Sequence, residues 1–80
     1  MDRAGVFEMV QVTASNVLDV DPAGLTDATS LVEDLAVDSL ALVEWAMVLE
    51  DALHVELGED DTGRVRTIGD MVDLLLQKGA

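Results

Sequence analysis

The chain has 80 residues, of which 50% are hydrophobic, and its formal net charge is −13 at pH 7. A chain of this length can build one small core, the hydrophobic fraction excludes a disordered acidic tail, and the absence of cysteine excludes disulfides and thiolate metal sites. Residues 5–63 contain 14 acidic side chains and no lysine or arginine, which excludes nucleic acid as a partner because phosphates are bound by basic residues.

The first predicted helix spans residues 3–18, where apolar residues recur at helical spacing. It ends before Pro22, because proline restricts the backbone of the residue that precedes it. Residues 19–38 are predicted to form a long loop, in which Ser30 and Glu33 fit a short capping-box turn. Three leucines are predicted to anchor this loop on the core: Leu25, Leu31 and Leu35.

The second predicted helix spans residues 39–53 and has Asp38 as its N-cap. The polar segment "GEDDTGRV", residues 58–65, contains two glycines, so it is predicted to form no more than a short helical turn near 59–64. A last helix begins after Thr67 and is ended by Gly79. These elements predict an all-α fold, a small four-helix bundle with three main helices, a short third helix and a long first loop.

The second helix is predicted to have two apolar faces. At about 100° per residue, one broad face is assigned to the core and comprises Leu42, Trp45, Ala46, Leu49 and Leu53. Leu40, Val43 and Met47 lie on the opposite side, with acidic residues around them: Glu44, Glu50 and Asp51. Either the long loop covers this second face, or it is an exposed patch for protein partners with basic surfaces.

Ser39, at the start of the second helix, is not predicted to be a catalytic nucleophile. The only histidine, His54, lies fifteen residues further along the same helix, which corresponds to about 22 Å. No metal site is expected either. The stretch "DVDPAG" begins like a calcium loop, but Ala23 and Ser30 stand where oxygen ligands are required. We therefore expect a protein that is not an enzyme and has neither catalytic residues nor metal ligands.

The first turn of a helix favours an anion, because its N–H groups are free and the dipole is positive there. A phosphate ester on Ser39 would be well placed, so Ser39 is typical of a residue that another enzyme modifies. The longest apolar run is far shorter than the about 20 residues that span a membrane, and the first ten residues do not match a signal peptide. We therefore expect a cytoplasmic monomer that does not contact membranes.

The stretch "DLAVDSLALVEWAMVLEDAL" resembles the carrier-domain signature of acyl carrier proteins, in which a D-S-L motif begins the second helix. The segments "TSLVEDL" and "RTIGDMVDLLL" extend the resemblance over essentially the whole chain, residues 1–80, as one acyl carrier domain. The resemblance implies that Ser39, beside Asp38, carries covalent 4′-phosphopantetheine derived from coenzyme A, whose thiol holds acyl groups as thioesters. It also implies a set of partner-recognition residues: Leu40, Val43, Glu44, Met47, Glu50 and Asp51.

The implied partners are a phosphopantetheinyl transferase and acyltransferase- or ketosynthase-type enzymes of fatty acid or polyketide biosynthesis. "DSLALVE" favours a dissociated polyketide pathway, such as one of antibiotic biosynthesis. The alternatives are an aminoacyl or peptidyl carrier of a nonribosomal peptide-type pathway and an unmodified acidic interaction module.

Two positions depart from the family. Ala36 stands where the family usually has glycine, which argues against the family's usual turn before the motif because alanine tolerates positive φ poorly. Trp45 stands where smaller aliphatic residues are common, and it is bulky enough to narrow the acyl-chain pocket.

Overall fold

Four helices make up the structure, a computed structural model that describes all 80 residues. They are α1 (Arg3–Leu18), α2 (Ser39–Leu53), α3 (Glu59–Thr62) and α4 (Ile68–Gln77). The predicted all-α fold with three main helices and a short third helix is confirmed. The α1–α2 loop also contains a 3-10 turn at Pro22–Gly24, which helical periodicity does not predict because one turn is too short to show a repeat. No helix has the length and apolar character needed to cross a membrane.

Side chains at the helix ends satisfy backbone groups that have no partner within the helix. Asp2 accepts a hydrogen bond from the Gly5 N–H at 2.8 Å and so begins α1. Thr67 and Asp70 form a reciprocal capping box at the start of α4. At its other end, α4 stops at Gly79, which has a φ of 100°, and the last two N–H groups of the chain bond back to the final turn. The predicted signals at both ends of α4 are confirmed.

The core lies where α1 packs against α2 and α4. Its largest fully buried side chain is that of Trp45. The indole Nε1 donates to Thr13 Oγ1 at 2.9 Å, and the Thr13 hydroxyl donates to the Met9 carbonyl at 2.8 Å. Every polar atom of this buried pair therefore has a partner. Trp45 lines none of the surface clefts, so its ring fills the space between α1 and α2.

The α1–α2 loop is attached to the start of α4 by main-chain hydrogen bonds. The Leu31 N–H donates to the Arg66 carbonyl, and the Ile68 N–H donates to the Thr29 carbonyl, each at 3.0 Å. Leu25 and Leu31 are buried and Leu35 is partly buried, as the sequence predicts. The loop therefore packs onto the core near α4, away from the second apolar face of α2.

Two details of this loop differ from the sequence-based expectation. Ser30 Oγ does accept from the Glu33 N–H, at 3.1 Å. The Ser30 N–H, however, donates to the Asp34 carboxylate at 2.7 Å, so the predicted role of the Glu33 side chain in a capping box is wrong. The shorter aspartate reaches back from one residue further along the turn. Ala36 adopts the left-handed conformation, with a φ of 55°, so the turn before α2 forms without glycine.

Candidate functional site

Ser39 is the first residue of α2 and its side chain is exposed. The preceding residue, Asp38, has an extended backbone, and its carboxylate accepts from the Ala41 N–H at 2.8 Å. Asp38 therefore caps the helix, as predicted, and leaves the Ser39 hydroxyl with no part in the cap. A group attached to Ser39 Oγ would break none of these hydrogen bonds.

A cleft of about 220 Å³ opens beside Ser39. It lies between the α1–α2 loop, the first turn of α2 and the segment that joins α3 to α4. Most of its wall is apolar: Leu31, Val32, Val37, Leu42 and Val65. Its polar lining includes Ser39, Asp38 and Arg66. The cleft thus combines an exposed hydroxyl, an apolar wall and one cation, which suits a flexible group with a charged end near Ser39.

The groups needed for catalysis by Ser39 are not beside it. His54 is exposed and follows the last residue of α2, at the opposite end of the helix. Its φ is 55°, and it ends the helix. Nowhere do three or more histidine, cysteine, aspartate or glutamate side chains come close enough together to hold a metal ion.

The second apolar face of α2 is open to solvent. Leu40 is 67% exposed, Val43 is 48% exposed and Met47 is 62% exposed. The alternative in which the loop covers this face is therefore wrong, because the loop is attached on the α4 side. Val48, 40% exposed, extends the face and lines an open depression with Met47. In the helical pattern Val48 lies between the two apolar faces of α2, so the sequence assigned Val48 to neither face.

The three acidic residues around this face are not equivalent. Glu44 and Asp51 are exposed, whereas Glu50 is partly buried. The Glu50 carboxylate accepts from the Leu57 N–H at 3.0 Å, so Glu50 also holds the segment that follows α2. The helical pattern places all three acids near the face but does not show this second role, because the bond spans seven residues and forms across a turn.

Two of the four lysine and arginine residues form ion pairs. Arg3 pairs with Asp27 at 3.0 Å and with Asp73, and the hydrogen bond to Asp73 is the main cause that raises the pKa of Arg3. Lys78 pairs with Asp61 at 2.9 Å and lowers the pKa of that carboxyl group. Two basic residues take part in none of these ion pairs: Arg64 and Arg66.

Comparisons with known proteins identify the family. The family model described as a phosphopantetheine attachment site matches residues 10–75. The acyl carrier protein of Syntrophobacter fumaroxidans is 36% identical over 80 residues, which covers 100% of this chain and 99% of that protein. The chain belongs to the acyl carrier protein family.

Other relatives agree. The acyl carrier protein of Rubrobacter xylanophilus is 34% identical over 77 residues, which covers 96% of this chain and 95% of that protein. The solved structure of the acyl carrier protein from Enterococcus faecalis matches with a TM-score of 0.82 and 29% identity, and it covers 99% of this chain and 100% of that chain. The family places covalently attached 4′-phosphopantetheine on this acyl carrier protein, and the predicted cofactor is confirmed.

The geometry beside Ser39 fits this cofactor. The hydroxyl is exposed and outside the helix cap, and the adjoining cleft has an apolar wall and a guanidinium group. When bound, the cofactor supplies a thiol that holds an acyl group as a thioester. Five residues of the cleft were not singled out by the sequence analysis: Val32, Val37, Gly63, Val65 and Arg66. Arg66 could have been found as one of only four basic residues, whereas no pattern marks Val32.

Proposed function

We propose that this acyl carrier protein carries its 4′-phosphopantetheine on Ser39 and presents acyl thioesters to the enzymes of a biosynthetic pathway. The observation that supports Ser39 is its exposure. The chain has three serines, and the other two, Ser15 and Ser30, are partly buried. Ser30 also accepts a hydrogen bond that holds the loop. Only Ser39 combines an exposed hydroxyl with a neighbouring cleft and a position on the first turn of a long helix.

The proposed role of Asp38 is to hold the first turn of α2 in place. Its carboxylate caps the Ala41 N–H, so the backbone that carries Ser39 has a defined position. During attachment, Ser39 Oγ loses its proton and forms a bond to the phosphorus on the pantetheine side of coenzyme A. The P–O bond of the pyrophosphate breaks, and adenosine bisphosphate leaves. The only histidine, His54, lies at the far end of α2, and the neighbouring Asp38 carboxylate is used to cap the Ala41 N–H. The transferase is therefore proposed to supply the group that removes the proton.

The proposed docking surface is the exposed face of α2 next to Ser39. Leu40, Val43 and Met47 supply apolar contacts, and the acids Glu44, Glu50 and Asp51 supply negative charge around them. Such a surface fits partners whose docking sites combine an apolar pocket with basic residues, because opposite charges steer association. The proposed partners are a phosphopantetheinyl transferase and acyltransferase- or ketosynthase-type enzymes.

The cargo is proposed to be an acyl group of fatty acid or polyketide biosynthesis, and "DSLALVE" favours a dissociated polyketide pathway. The aminoacyl or peptidyl carrier remains the second candidate. Residues 1–80 are proposed to form one carrier domain that acts as a cytoplasmic monomer. Intact mass of the protein isolated from its own host tests the cargo, because an acyl group and an aminoacyl group add different masses to the cofactor.

The attachment site is tested with Ser39→Ala, with Ser15→Ala as the matched control. Each variant is incubated with a phosphopantetheinyl transferase and coenzyme A, and the intact mass is measured. We expect Ser39→Ala to gain no mass and Ser15→Ala to be loaded like the parent, while circular dichroism shows the same helix content for all three. A Ser39→Ala protein that still takes up phosphopantetheine would show that another residue carries it.

A further inference from the structure

Arg66 presents its side chain at the cleft beside Ser39 from a fixed main chain. Its N–H donates to the Asp70 carboxylate at 3.0 Å, and its carbonyl accepts from the Leu31 N–H at 3.0 Å. One bond holds Arg66 to the first turn of α4, and the other holds it to the α1–α2 loop. The guanidinium group therefore extends from a position that two neighbouring elements define.

The charges around Arg66 leave it available to an anion. Arg3 and Lys78 are in ion pairs with aspartates, whereas Arg66 is in none. The only acidic residue that lines the Ser39 cleft with Arg66 is Asp38, and one of its carboxylate oxygens accepts from the Ala41 N–H. The chain has a net charge of −13. It is therefore unusual that Arg66, which lines the same cleft as Ser39, has no ion-pair partner.

We infer that Arg66 binds the phosphodiester that forms on Ser39, and that the cleft holds the part of the cofactor next to that phosphate. This inference rests on the proposed attachment at Ser39. A guanidinium group matches phosphate because it can donate two parallel hydrogen bonds to two oxygens. Attachment adds one more negative charge to an already acidic protein, and Arg66 would offset the repulsion. The apolar wall fits the dimethyl-substituted carbon that lies close to the phosphate in 4′-phosphopantetheine.

A carboxylate on the acyl cargo is a second possible anion. It would lie at the thiol end of the cofactor, many bonds from Ser39, whereas the phosphate is bonded to Ser39 itself. Because Ser39 and Arg66 line the same small cleft, the structure favours the phosphate.

The chain contains a matched control for this inference. Arg64 is also exposed and in none of the ion pairs, but it lines a different cleft, with Asp61, Asp70 and Asp73. Arg66→Gln and Arg64→Gln remove the same charge from positions two residues apart. If loading acts only through net charge, both substitutions change the response to loading equally. If Arg66 binds the phosphate, only Arg66→Gln changes it.

The experiment compares the unmodified and loaded forms of the parent, Arg66→Gln and Arg64→Gln, after intact mass shows complete loading. The first readout is the NMR signal of each arginine Nε–Hε group, assigned from the variant in which it disappears. We expect the Arg66 signal to shift on loading and the Arg64 signal to stay. The second readout is the change in melting temperature on loading. Without Arg66, this change should be about 2–4 °C less favourable than in the parent or in Arg64→Gln, as an exposed ion pair predicts.

Three results would overturn the inference. In the first, the Arg66 signal does not move on loading and the two variants melt alike. In the second, the signal moves only when a carboxyacyl group is attached and not with an acetyl group or the free thiol, which would assign Arg66 to the cargo. In the third, the parent gains no mass with any transferase, which would overturn the proposed function together with this inference. The first two results leave attachment at Ser39 intact.

Discussion

The two faces of α2 carry side chains of similar hydrophobicity in very different surroundings. On one face, Trp45 and Leu49 are fully buried, whereas on the other Leu40 and Met47 are 67% and 62% exposed. Leaving such a side chain in water forgoes about 1.5–3 kcal/mol that burial would contribute. The difference teaches that periodicity detects an apolar face but does not tell which neighbour, if any, covers it. A partner that covers this exposed apolar face would gain the free energy that burial contributes.

The largest effect is expected on the buried face. Trp45→Ala should lower the free energy of unfolding by about 3–5 kcal/mol, because it leaves a large cavity between α1 and α2 and removes the indole donor from Thr13. Urea unfolding followed by circular dichroism measures this loss. A loss below about 1 kcal/mol would mean that the core can close around the missing ring, and the contrast between the two faces would then be much weaker than burial indicates.

An intermediate effect is expected at the boundary of the exposed face, where Glu50 and Glu44 offer a matched pair. Glu50→Ala should cost about 1 kcal/mol, because the partly buried Leu57 N–H loses its acceptor. Glu44→Ala removes the same charge from an exposed site and should change stability by less than about 0.5 kcal/mol. Equal losses in thermal unfolding would show that the bond to Leu57 contributes nothing measurable.

The turn that leads into α2 is expected to be strained at Ala36. A left-handed conformation costs a residue with a Cβ about 1–2 kcal/mol, and glycine avoids this cost but loses more entropy on folding. Ala36→Gly should therefore stabilise the protein by about 0.5–1 kcal/mol, measured by urea unfolding. Ala28→Gly, in the same loop without a positive φ, serves as the control and should be neutral or destabilising. Destabilisation by Ala36→Gly would show that Ala36 is unstrained.

The smallest effect on stability is expected on the exposed face itself. Met47→Ala should change the free energy of unfolding by less than about 0.5 kcal/mol, but it should slow loading by a transferase that docks on this face. Because the lost contact is apolar, the slower loading should depend little on salt, whereas the effect of Glu44→Lys should shrink at high salt. Loading rates at two salt concentrations measure both. A loss of about 2 kcal/mol in Met47→Ala, with unchanged loading, would contradict a docking role.

Much of the fold follows from the sequence because its signals act within one or two turns. The bounds of α1 and α2 agree with the predicted segments 3–18 and 39–53, since helical spacing and a capping aspartate are local features. The same holds for the start of α4 after Thr67. The loop turn is less predictable, because Ser30 could use either of two nearby acids, and the structure uses Asp34 rather than Glu33.

The sequence by itself determined the helices, their caps, the two apolar faces of α2 and the candidate attachment residue Ser39, because each depends on residues close together in the chain. The tertiary structure decided that the second face is open, that Trp45 bonds to Thr13, and that Arg66 lines the cleft of Ser39. These features join residues 27 to 32 positions apart or depend on where the loop packs. Spacing along the chain cannot encode them, because they form only when distant segments pack around a common core.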